Sequence, residues 1–256
     1  MTAGAAMPPV DQQIVLVTGA ASGLGRAVMD QLLSRGSKVV AVDLPGWREG
    51  VGARPSLLVL EGDVRQRDLH ARIAEETTEA FGDSPHSIVN NAAILVPGDA
   101  LSTTDEQWWE HLDINVRAAW LAIQQLTPRM IERGAGAIVN VVSIEGLHVG
   151  DRHFAYAVSK GALRQLSRSV AHDLGPHGVR CNSLSPGAFE TPMLRRHLEL
   201  DDDPAAAWAR VANMTPLRRL GAPAEFAALV EMLISPAGGY LNGADIVVDG
   251  GRTLRT

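Results

Sequence analysis

Short apolar segments recur along the chain and alternate with longer segments in which apolar residues return with the spacing of a helix. The short segments are rich in Val, Ile and Leu without a polar residue at every second position, which is typical of strands buried on both faces of a parallel sheet. We predict seven strands, at residues 14–18, 38–43, 56–63, 87–93, 136–143, 179–185 and 244–250.

Helical patterns fill the intervals between these strands, and several have recognisable ends. Thr104 is suited to cap the start of one helix, and Gly36 and Gly82 follow the ends of two others. We predict helices at residues 23–35, 66–81, 105–133, 154–174 and 224–233. The alternation predicts an α/β fold of the doubly wound Rossmann type, with a seven-stranded parallel sheet and helices on both faces.

Residues 188–222 interrupt this alternation, because they are polar and contain several prolines. They directly follow a predicted strand, and open α/β sheets bind ligands at the carboxyl ends of their strands. We therefore predict a substrate-covering lid, with a linker as the alternative. The 256 residues and 46% hydrophobic content fit a single domain over residues 1–256, with residues 1–10 as a frayed N-terminus.

Composition argues against several classes of function. The formal net charge of −6 leaves no basic surface for a phosphate backbone, so we expect no nucleic-acid partner. The single cysteine, Cys181, rules out an intramolecular disulfide and a cysteine-built metal centre, and we predict no metal site. No segment reaches the roughly 18 apolar residues of a membrane span, and the first residues lack a signal peptide's basic start. We expect a cytoplasmic protein with a small-molecule substrate.

A glycine-rich turn joins the first predicted strand to the first predicted helix, with the sequence TGAASGLG at residues 18–25. Gly19 permits the tight turn, Gly23 lets the backbone approach a pyrophosphate, and Gly25 lets the helix pack close to the strand. The helix N-terminus offers unpaired N–H groups to the anion. Strand, turn and helix in this order predict a dinucleotide site, the alternative being a purely structural turn.

Asp43 stands at the end of the second predicted strand, where a carboxylate can accept hydrogen bonds from the adenine ribose hydroxyls. A 2′-phosphate about 4 Å away would cost on the order of 4 kcal/mol per charge pair at an effective dielectric constant near 20. Arg48 is the nearby cation that could offset this cost, and Ser22 carries no charge. We therefore predict NAD as the cofactor, with NADP as the less favoured alternative.

Tyr156 precedes Lys160 by four residues in a predicted helix, which places both side chains on one face. A free tyrosine has a pKa near about 10 and is a poor base at neutral pH. A neighbouring ammonium group favours the phenolate, so we expect Lys160 to lower the pKa of Tyr156. The pair predicts acid–base chemistry at the phenol.

These features together resemble the short-chain dehydrogenase/reductase family, and the likeness extends from residue 18 to residue 251. It rests on TGAASGLG at 18–25, NNAA at 90–93, Asn115 within DINV, Ser143 within IVNVVSIEG, YAVSK at 156–160, PGAFETPM at 186–193 and VVDGG at 247–251. The resemblance implies hydride exchange between a nicotinamide and a carbinol or carbonyl carbon.

The resemblance also implies a role for each catalytic residue. Tyr156 would be the general acid/base, and Lys160 would lower its pKa and hold the nicotinamide ribose. Ser143 would hydrogen-bond the substrate oxygen, and Asn115 would shape its helix and anchor a water that relays protons to Lys160. The implied cofactor contacts are Gly19, Ser22, Gly23, Leu24, Gly25, Asp43, Leu44, Asp63, Val64, Asn91, Ala92, Ala93, Tyr156, Lys160, Pro186, Gly187 and Thr191.

Glu145 stands two residues after Ser143, where the family more usually has a small or apolar residue. We expect its carboxylate to accept a hydrogen bond from a substrate hydroxyl, so that Ser143, Glu145 and Tyr156 together form the predicted substrate site. His148 and His153 in the same segment are expected to be surface or structural histidines.

Three functions remain open at this point. The first is an NAD-dependent dehydrogenase of a polar secondary alcohol such as a sugar or polyol, and the second is a reductase of 3-oxoacyl thioesters or other ketones. The third, a non-catalytic dinucleotide-binding protein, is disfavoured because all four catalytic-type positions are filled. The resemblance also suggests a homotetramer, with the helices at 105–133 and 154–174 at an interface and Trp108 and Trp109 as anchors there or in the core.

Overall fold

The computed structural model describes residues 6–254, and its centre is one parallel sheet of seven strands. The strands are β1 (Ile14–Thr18), β2 (Lys38–Asp43), β3 (Leu57–Glu61), β4 (Ser87–Asn90), β5 (Gly136–Val141), β6 (Val179–Pro186) and β7 (Asp245–Val248). Their order is β3-β2-β1-β4-β5-β6-β7, and all neighbouring pairs are parallel. The predicted sheet is confirmed, although β4 and β5 end earlier than expected because the following residues turn into a cavity.

Helices cover both faces of the sheet, as predicted. They are α1 (Gly23–Ser34), α2 (Arg67–Phe81), α3 (Asp105–Leu112), α4 (Ala118–Arg133), α5 (Phe154–Leu174), α6 (Pro192–Leu198), α7 (Pro204–Asn213) and α8 (Pro223–Ile234). Apolar residues of α1 and α8 pack in one core, and those of α2, α4 and α5 pack in the other. Among residues 6–254, no helix combines the length and apolar content needed to cross a bilayer.

The helix predicted over residues 105–133 contains a turn of π-helix, Asp113–Arg117, between α3 and α4. Such turns insert an extra residue into a helix and are frequent at functional sites. Asn115 lies in this turn and is 1% exposed. The predicted cap at Thr104 is confirmed, because its side chain accepts a hydrogen bond from the backbone N–H of Gln107 at 3.2 Å.

The expected frayed N-terminus covers residues 1–10, of which residues 1–5 lie outside the described part of the chain. Met7 and Val10 pack against the hydrophobic core. The Gln13 side chain donates to the carbonyl of Pro8 at 2.8 Å, and the Ser37 hydroxyl donates to the carbonyl of Val10 at 2.7 Å. The expectation is therefore wrong for residues 7–10, because contacts with distant parts of the chain fix this segment.

The predicted lid, residues 188–222, contains α6 and α7. Pro192 and Pro204 begin these helices rather than interrupt them, and the side chains of Thr191 and Asp203 cap them. A proline at the first helical position loses no hydrogen bond and already has a helical φ angle. The segment therefore has ordered secondary structure, which the linker alternative did not predict.

The two halves of the sheet wind in opposite directions from β1, since β2 lies on one side of this strand and β4 lies on the other. Open α/β sheets bind ligands at such a switch point, beyond the carboxyl ends of the strands. The carboxyl ends of β1, β2, β4, β5 and β6 lie along the same edge, which brings together the segments that carry the predicted site residues.

Candidate active site

A cavity of about 620 Å³ opens at this edge of the sheet. All the predicted cofactor residues except Gly25 line it, and so do Ser143 and Glu145. Gly25 is buried within the turn, and Asn115 lies behind the cavity wall. Thirteen or more residues separate most of these segments in the sequence, so the sheet topology is what brings them into one site.

The glycine-rich turn lies close to neighbouring residues, and Gly19 and Gly25 have no room for a side chain. Gly19 and Gly23 have φ angles of +68° and +58°, in the left-handed region that favours glycine. A Cβ atom on Gly25 would lie 2.1 Å from the carbonyl oxygen of Gly19. The Asn91 side chain donates to the carbonyls of Thr18 and Gly19 at 2.9 and 3.0 Å and so fixes the turn. The bare backbone and the N-terminus of α1 fit a pyrophosphate group.

Asp43 ends β2 and faces the cavity. Its carboxylate accepts hydrogen bonds from the backbone N–H groups of Ala21 and Leu44, both at 2.8 Å. These two bonds fix the carboxylate beside the glycine-rich turn, and its remaining lone pairs can accept further hydrogen bonds. The guanidinium group of Arg48 donates instead to the carbonyl of Val59 at 2.6 Å, and Arg48 does not line the cavity.

Tyr156, Lys160 and Ser143 meet in the cavity wall near the ends of β5 and β6. Tyr156 is 8% exposed and Lys160 is 2% exposed, and the Lys160 amine lies 5.6 Å from the centre of the Tyr156 ring. The amine donates a hydrogen bond to the carbonyl of Val141 at 2.8 Å. The Ser143 hydroxyl accepts one from the backbone N–H of Glu145 at 3.1 Å. The predicted spacing of four residues on one helical face is confirmed.

The pKa values of this pair are shifted in a direction that the sequence did not predict. Burial raises the pKa of Tyr156 to about 12, the Ser143 hydroxyl lowers it and the Glu145 carboxylate raises it further. Burial lowers the pKa of Lys160 to about 7. The expected lowering of the Tyr156 pKa by Lys160 is therefore wrong for the protein alone, because burial disfavours both charged forms.

Asn115 joins two segments behind this wall. Its amide N–H groups donate to the carbonyl of Ile94 at 3.0 Å and to the hydroxyl of Ser159 at 2.9 Å. Its carbonyl accepts the backbone N–H of Ile94 at 2.8 Å. Both amide hydrogens are used in these bonds and none reaches Lys160, so Asn115 holds the chain after β4 against α5.

Glu145 and His197 line the substrate end of the cavity, and the His153 ring lies beside them. One oxygen of Glu145 accepts the backbone N–H of Gly150 at 2.5 Å, and the other lies 3.5 Å from Nδ1 of His153. The His153 ring lies 5.0 Å from the ring of His197 and 6.1 Å from that of Tyr156. Of the two expectations for His153, a surface or a structural histidine, the structure agrees with the second, because its ring nitrogens are buried among these residues.

The charge of Glu145 is stabilised although most of its side chain is shielded from solvent. Burial by itself raises the pKa of Glu145, but the His153 imidazole, the backbone N–H of Gly150 and the charge of Arg252 bring it below its usual value. The carboxylate is therefore negative at neutral pH. Within residues 6–254, no group of three or more His, Cys, Asp and Glu side chains is arranged to hold a metal ion.

Sequence reasoning missed three basic residues that line the substrate end, Arg196, His197 and Arg252. Arg196 and His197 lie in α6, so the predicted lid was the signal that could have found them. Arg252 follows the last strand in a short 3-10 turn, and no local pattern points to it. Its place in the cavity follows from the tertiary structure alone.

The doubly wound sheet and this cavity define a dinucleotide-binding α/β oxidoreductase. A family model described as enoyl-(acyl carrier protein) reductase matches residues 19–253. The chain belongs to the short-chain dehydrogenase/reductase family. It is an oxidoreductase that transfers a hydride between a nicotinamide dinucleotide and a secondary alcohol or ketone.

Named relatives resemble the chain over nearly its whole length. A 2-(R)-hydroxypropyl-CoM dehydrogenase of Xanthobacter autotrophicus is 36% identical, over 94% of this chain and 98% of the relative. A galactitol 2-dehydrogenase (L-tagatose-forming) of Cereibacter sphaeroides is 36% identical, over 96% of each. The crystal structure of L-sorbose reductase from Gluconobacter frateurii, complexed with NADPH and L-sorbose, superposes with a TM-score of 0.88 at 27% identity, over 97% of this chain and 98% of that one.

Proposed function

We propose that this protein is an NAD-dependent dehydrogenase of a hydroxylated secondary alcohol, a sugar or polyol, with Tyr156 as its general acid/base. The observation that carries the proposal is the position of the Tyr156 phenol. It lies with Ser143 in the wall of a cavity that continues past the glycine-rich turn to Asp43. One end of this cavity suits a dinucleotide, and the other end presents a proton donor and acceptor.

The side chains divide the chemistry between them. Bound NAD supplies the hydride acceptor and, in its oxidised form, a positive charge at the nicotinamide ring. Ser143 and Tyr156 hold the substrate oxygen, and Tyr156 takes the carbinol proton during oxidation or returns it during reduction. Lys160 lies one helical turn further on, and we expect it to contact the nicotinamide ribose and, when protonated, to favour the phenolate.

The high pKa of Tyr156 means that the phenolate needs additional stabilisation before it can act as a base. Bringing the pKa from about 12 to about 7 requires about 7 kcal/mol of additional stabilisation of the phenolate, at about 1.4 kcal/mol for each unit. The Lys160 amine in its protonated form and the positive charge of an oxidised nicotinamide are the two sources at hand. The neutral phenol is already the form that donates a proton to a ketone, whereas alcohol oxidation needs the phenolate and gains rate as the pH rises.

Two features support NAD over NADP. Asp43 presents a carboxylate where the adenine ribose is expected, and Arg48 is held by Val59 instead of facing that position. Arg65 also lines the cavity but is ion-paired with Asp63 at 2.5 Å. A 2′-phosphate would therefore meet the negative charge of Asp43 without a free guanidinium group beside it among residues 6–254. Paired kinetics with both cofactors tests this reasoning, and a higher kcat/KM with NADP would overturn it.

Glu145 supports a hydroxylated substrate. Its carboxylate is negative and lies at the cavity wall, so it can accept a hydrogen bond from a second substrate hydroxyl, which an acyl chain would not donate. The rival function is a reductase of 3-oxoacyl thioesters, because the matching family model is described by a reductase that acts on an acyl thioester. Initial rates with polyols, sugars, simple ketones and a 3-oxoacyl thioester, followed through NADH absorbance, separate the two.

Exchange of Tyr156 for Phe tests the catalytic assignment. We expect NADH affinity, measured by fluorescence titration, to stay within a few-fold of the parent, because only a hydroxyl is removed. Turnover is expected to fall by at least the roughly 10² to 10⁴ typical of lost acid–base catalysis. A folded Tyr156→Phe protein with near-parental turnover would refute the assignment and return the chain to dinucleotide binding without catalysis at this residue.

The remaining expectations concern the lid and the assembly of subunits. The cavity-lining positions Thr191, Met193 and His197 belong to or border α6, which supports a lid role for residues 188–222. Trp108 packs against Phe154 in a tilted arrangement with 5.7 Å between ring centroids, whereas Trp109 is 56% exposed on α3. An exposed tryptophan suits an interface of a cytoplasmic homotetramer built from single-domain chains. Native mass measurement tests the tetramer, and a monomer would overturn it.

A further inference from the structure

The substrate end of the cavity carries basic side chains that have no acidic partner. Arg252 lines the cavity, and its guanidinium group makes no hydrogen bond or ion pair with any residue between 6 and 254. The same holds for Arg196 on α6, at the cavity rim. At the opposite, adenine end, Arg65 is instead paired with Asp63 at 2.5 Å. The contrast leaves two arginines at the substrate end of the cavity without an ion-pair partner among residues 6–254.

Glu145 interacts electrostatically with Arg252, but each of its oxygens already has a contact with another group. One accepts the backbone N–H of Gly150 and the other faces His153. Burial and the His153 contact dominate the pKa of Glu145, and the charge of Arg252 lowers it further. Arg252 therefore interacts with Glu145 through its charge, but the two side chains do not form an ion pair within 4.0 Å.

His197 adds a polar group without a partner to the same place. Its Nδ1 atom is buried and makes no hydrogen bond within the described residues. A buried polar atom without a partner costs stability that a suitable ligand atom restores. His197 lines the cavity on α6, and both its imidazole and Arg252 interact electrostatically with Glu145, which places the two side chains around the same carboxylate.

We propose that the substrate is a hydroxylated secondary alcohol that also carries an anionic group, a carboxylate or a phosphate, and that Arg252 and His197 bind this group. The inference rests on the proposed function and narrows its substrate class. A guanidinium group presents paired N–H donors that match the oxygens of both anions. A neutral polyol could use the same donors but would leave the charge of Arg252 uncompensated inside the cavity.

Matched substrates test the proposal directly. With NAD as cofactor, we expect kcat/KM to be at least tenfold higher for 3-hydroxybutanoate than for butane-1,3-diol, and higher for gluconate than for glucitol, mainly through KM. A tenfold difference corresponds to about 1.4 kcal/mol. Glucitol 6-phosphate compared with glucitol tells whether phosphate or carboxylate is the better ligand. Butanoate, which cannot react, should inhibit more strongly than butanamide.

Variants assign the preference to a residue. Arg252→Met should lower kcat/KM for the acid substrates at least tenfold more than kcat/KM for the matched neutral substrates, and Arg252→Lys should retain most of the acid preference. Arg54→Met removes the same charge from an exposed loop outside the cavity and should change nothing. Should Arg252→Met fail to fold, Arg252→Lys and His197→Gln provide the comparison, since both keep a polar side chain.

Three results would overturn the inference. They are equal efficiency for acid and neutral substrates in the parent, equal losses for both substrate classes in Arg252→Met, or an equal effect of Arg54→Met. In each case neutral alcohols would still be oxidised with NAD, so the proposed function would survive. Absence of NAD-linked turnover with every alcohol of the panel would instead refute the proposed function. Titration calorimetry with butanoate would then test separately whether Arg252 and His197 bind an anion.

Discussion

Exchange of Lys160 for Met is expected to change how the stability of the protein depends on pH. Burial lowers the pKa of the Lys160 amine from 10.5 to about 7 in the folded protein. Between these two pH values the unfolded chain binds more protons than the folded chain, so the free energy of unfolding rises with pH. Below the lower value, both states are protonated and the burial penalty is fully present.

The expected magnitude follows from the same two values. From about pH 7 to about pH 9, the Lys160 amine contributes a rise of about 2 kcal/mol in the free energy of unfolding, at about 1.4 kcal/mol for each pH unit in which only the unfolded state is protonated. Methionine is unbranched and similar in length, so Lys160→Met keeps the packing and removes this rise. The hydrogen bond to Val141 is lost at both pH values and cancels from the slope.

Chemical denaturation of the parent and the variant at both pH values, at one protein concentration, measures the effect. Lys38→Met is the control, because Lys38 is the other lysine of the chain and is exposed at the start of β2. Burial raises the pKa values of Tyr156 and Cys181 to about 12, and these groups destabilise the fold at higher pH, which sets the upper limit of the experiment. A slope in Lys160→Met equal to that of the parent would refute the reasoning.

Three further predictions follow from the site. Gly25→Ala should lower the melting temperature and weaken NADH binding, because its Cβ would clash with the Gly19 carbonyl, whereas Gly50→Ala, with nothing within 4 Å, should not. Asp43→Ala should raise kcat/KM with NADPH relative to NADH at least tenfold in paired kinetics, and an unchanged ratio would contradict the proposed role. Asn115→Ala should cost about 1 to 3 kcal/mol in denaturation, since it leaves buried partners unpaired; full parental stability would count against this account.

Much of the architecture could be predicted from the sequence because its causes are local. Apolar runs without alternation specify buried strands, and the seven predicted strands correspond to those in the sheet. Glycine positions in the turn after β1 and the four-residue spacing of Tyr156 and Lys160 depend on backbone geometry within a few residues. These signals therefore located both ends of the cavity before any tertiary contact was known.

The tertiary structure alone decided the pKa shifts in the site and which residues from distant segments meet there. The sequence showed that Lys160 lies beside Tyr156, but only packing shows that both are buried, which reverses the expected direction of the tyrosine pKa shift. Glu145, His197 and Arg252 come from three separate segments, and their meeting depends on how α6 and the chain after β7 fold over the sheet edge. Burial and Coulomb interactions depend on distances between residues far apart in the chain, and a local sequence pattern does not contain those distances.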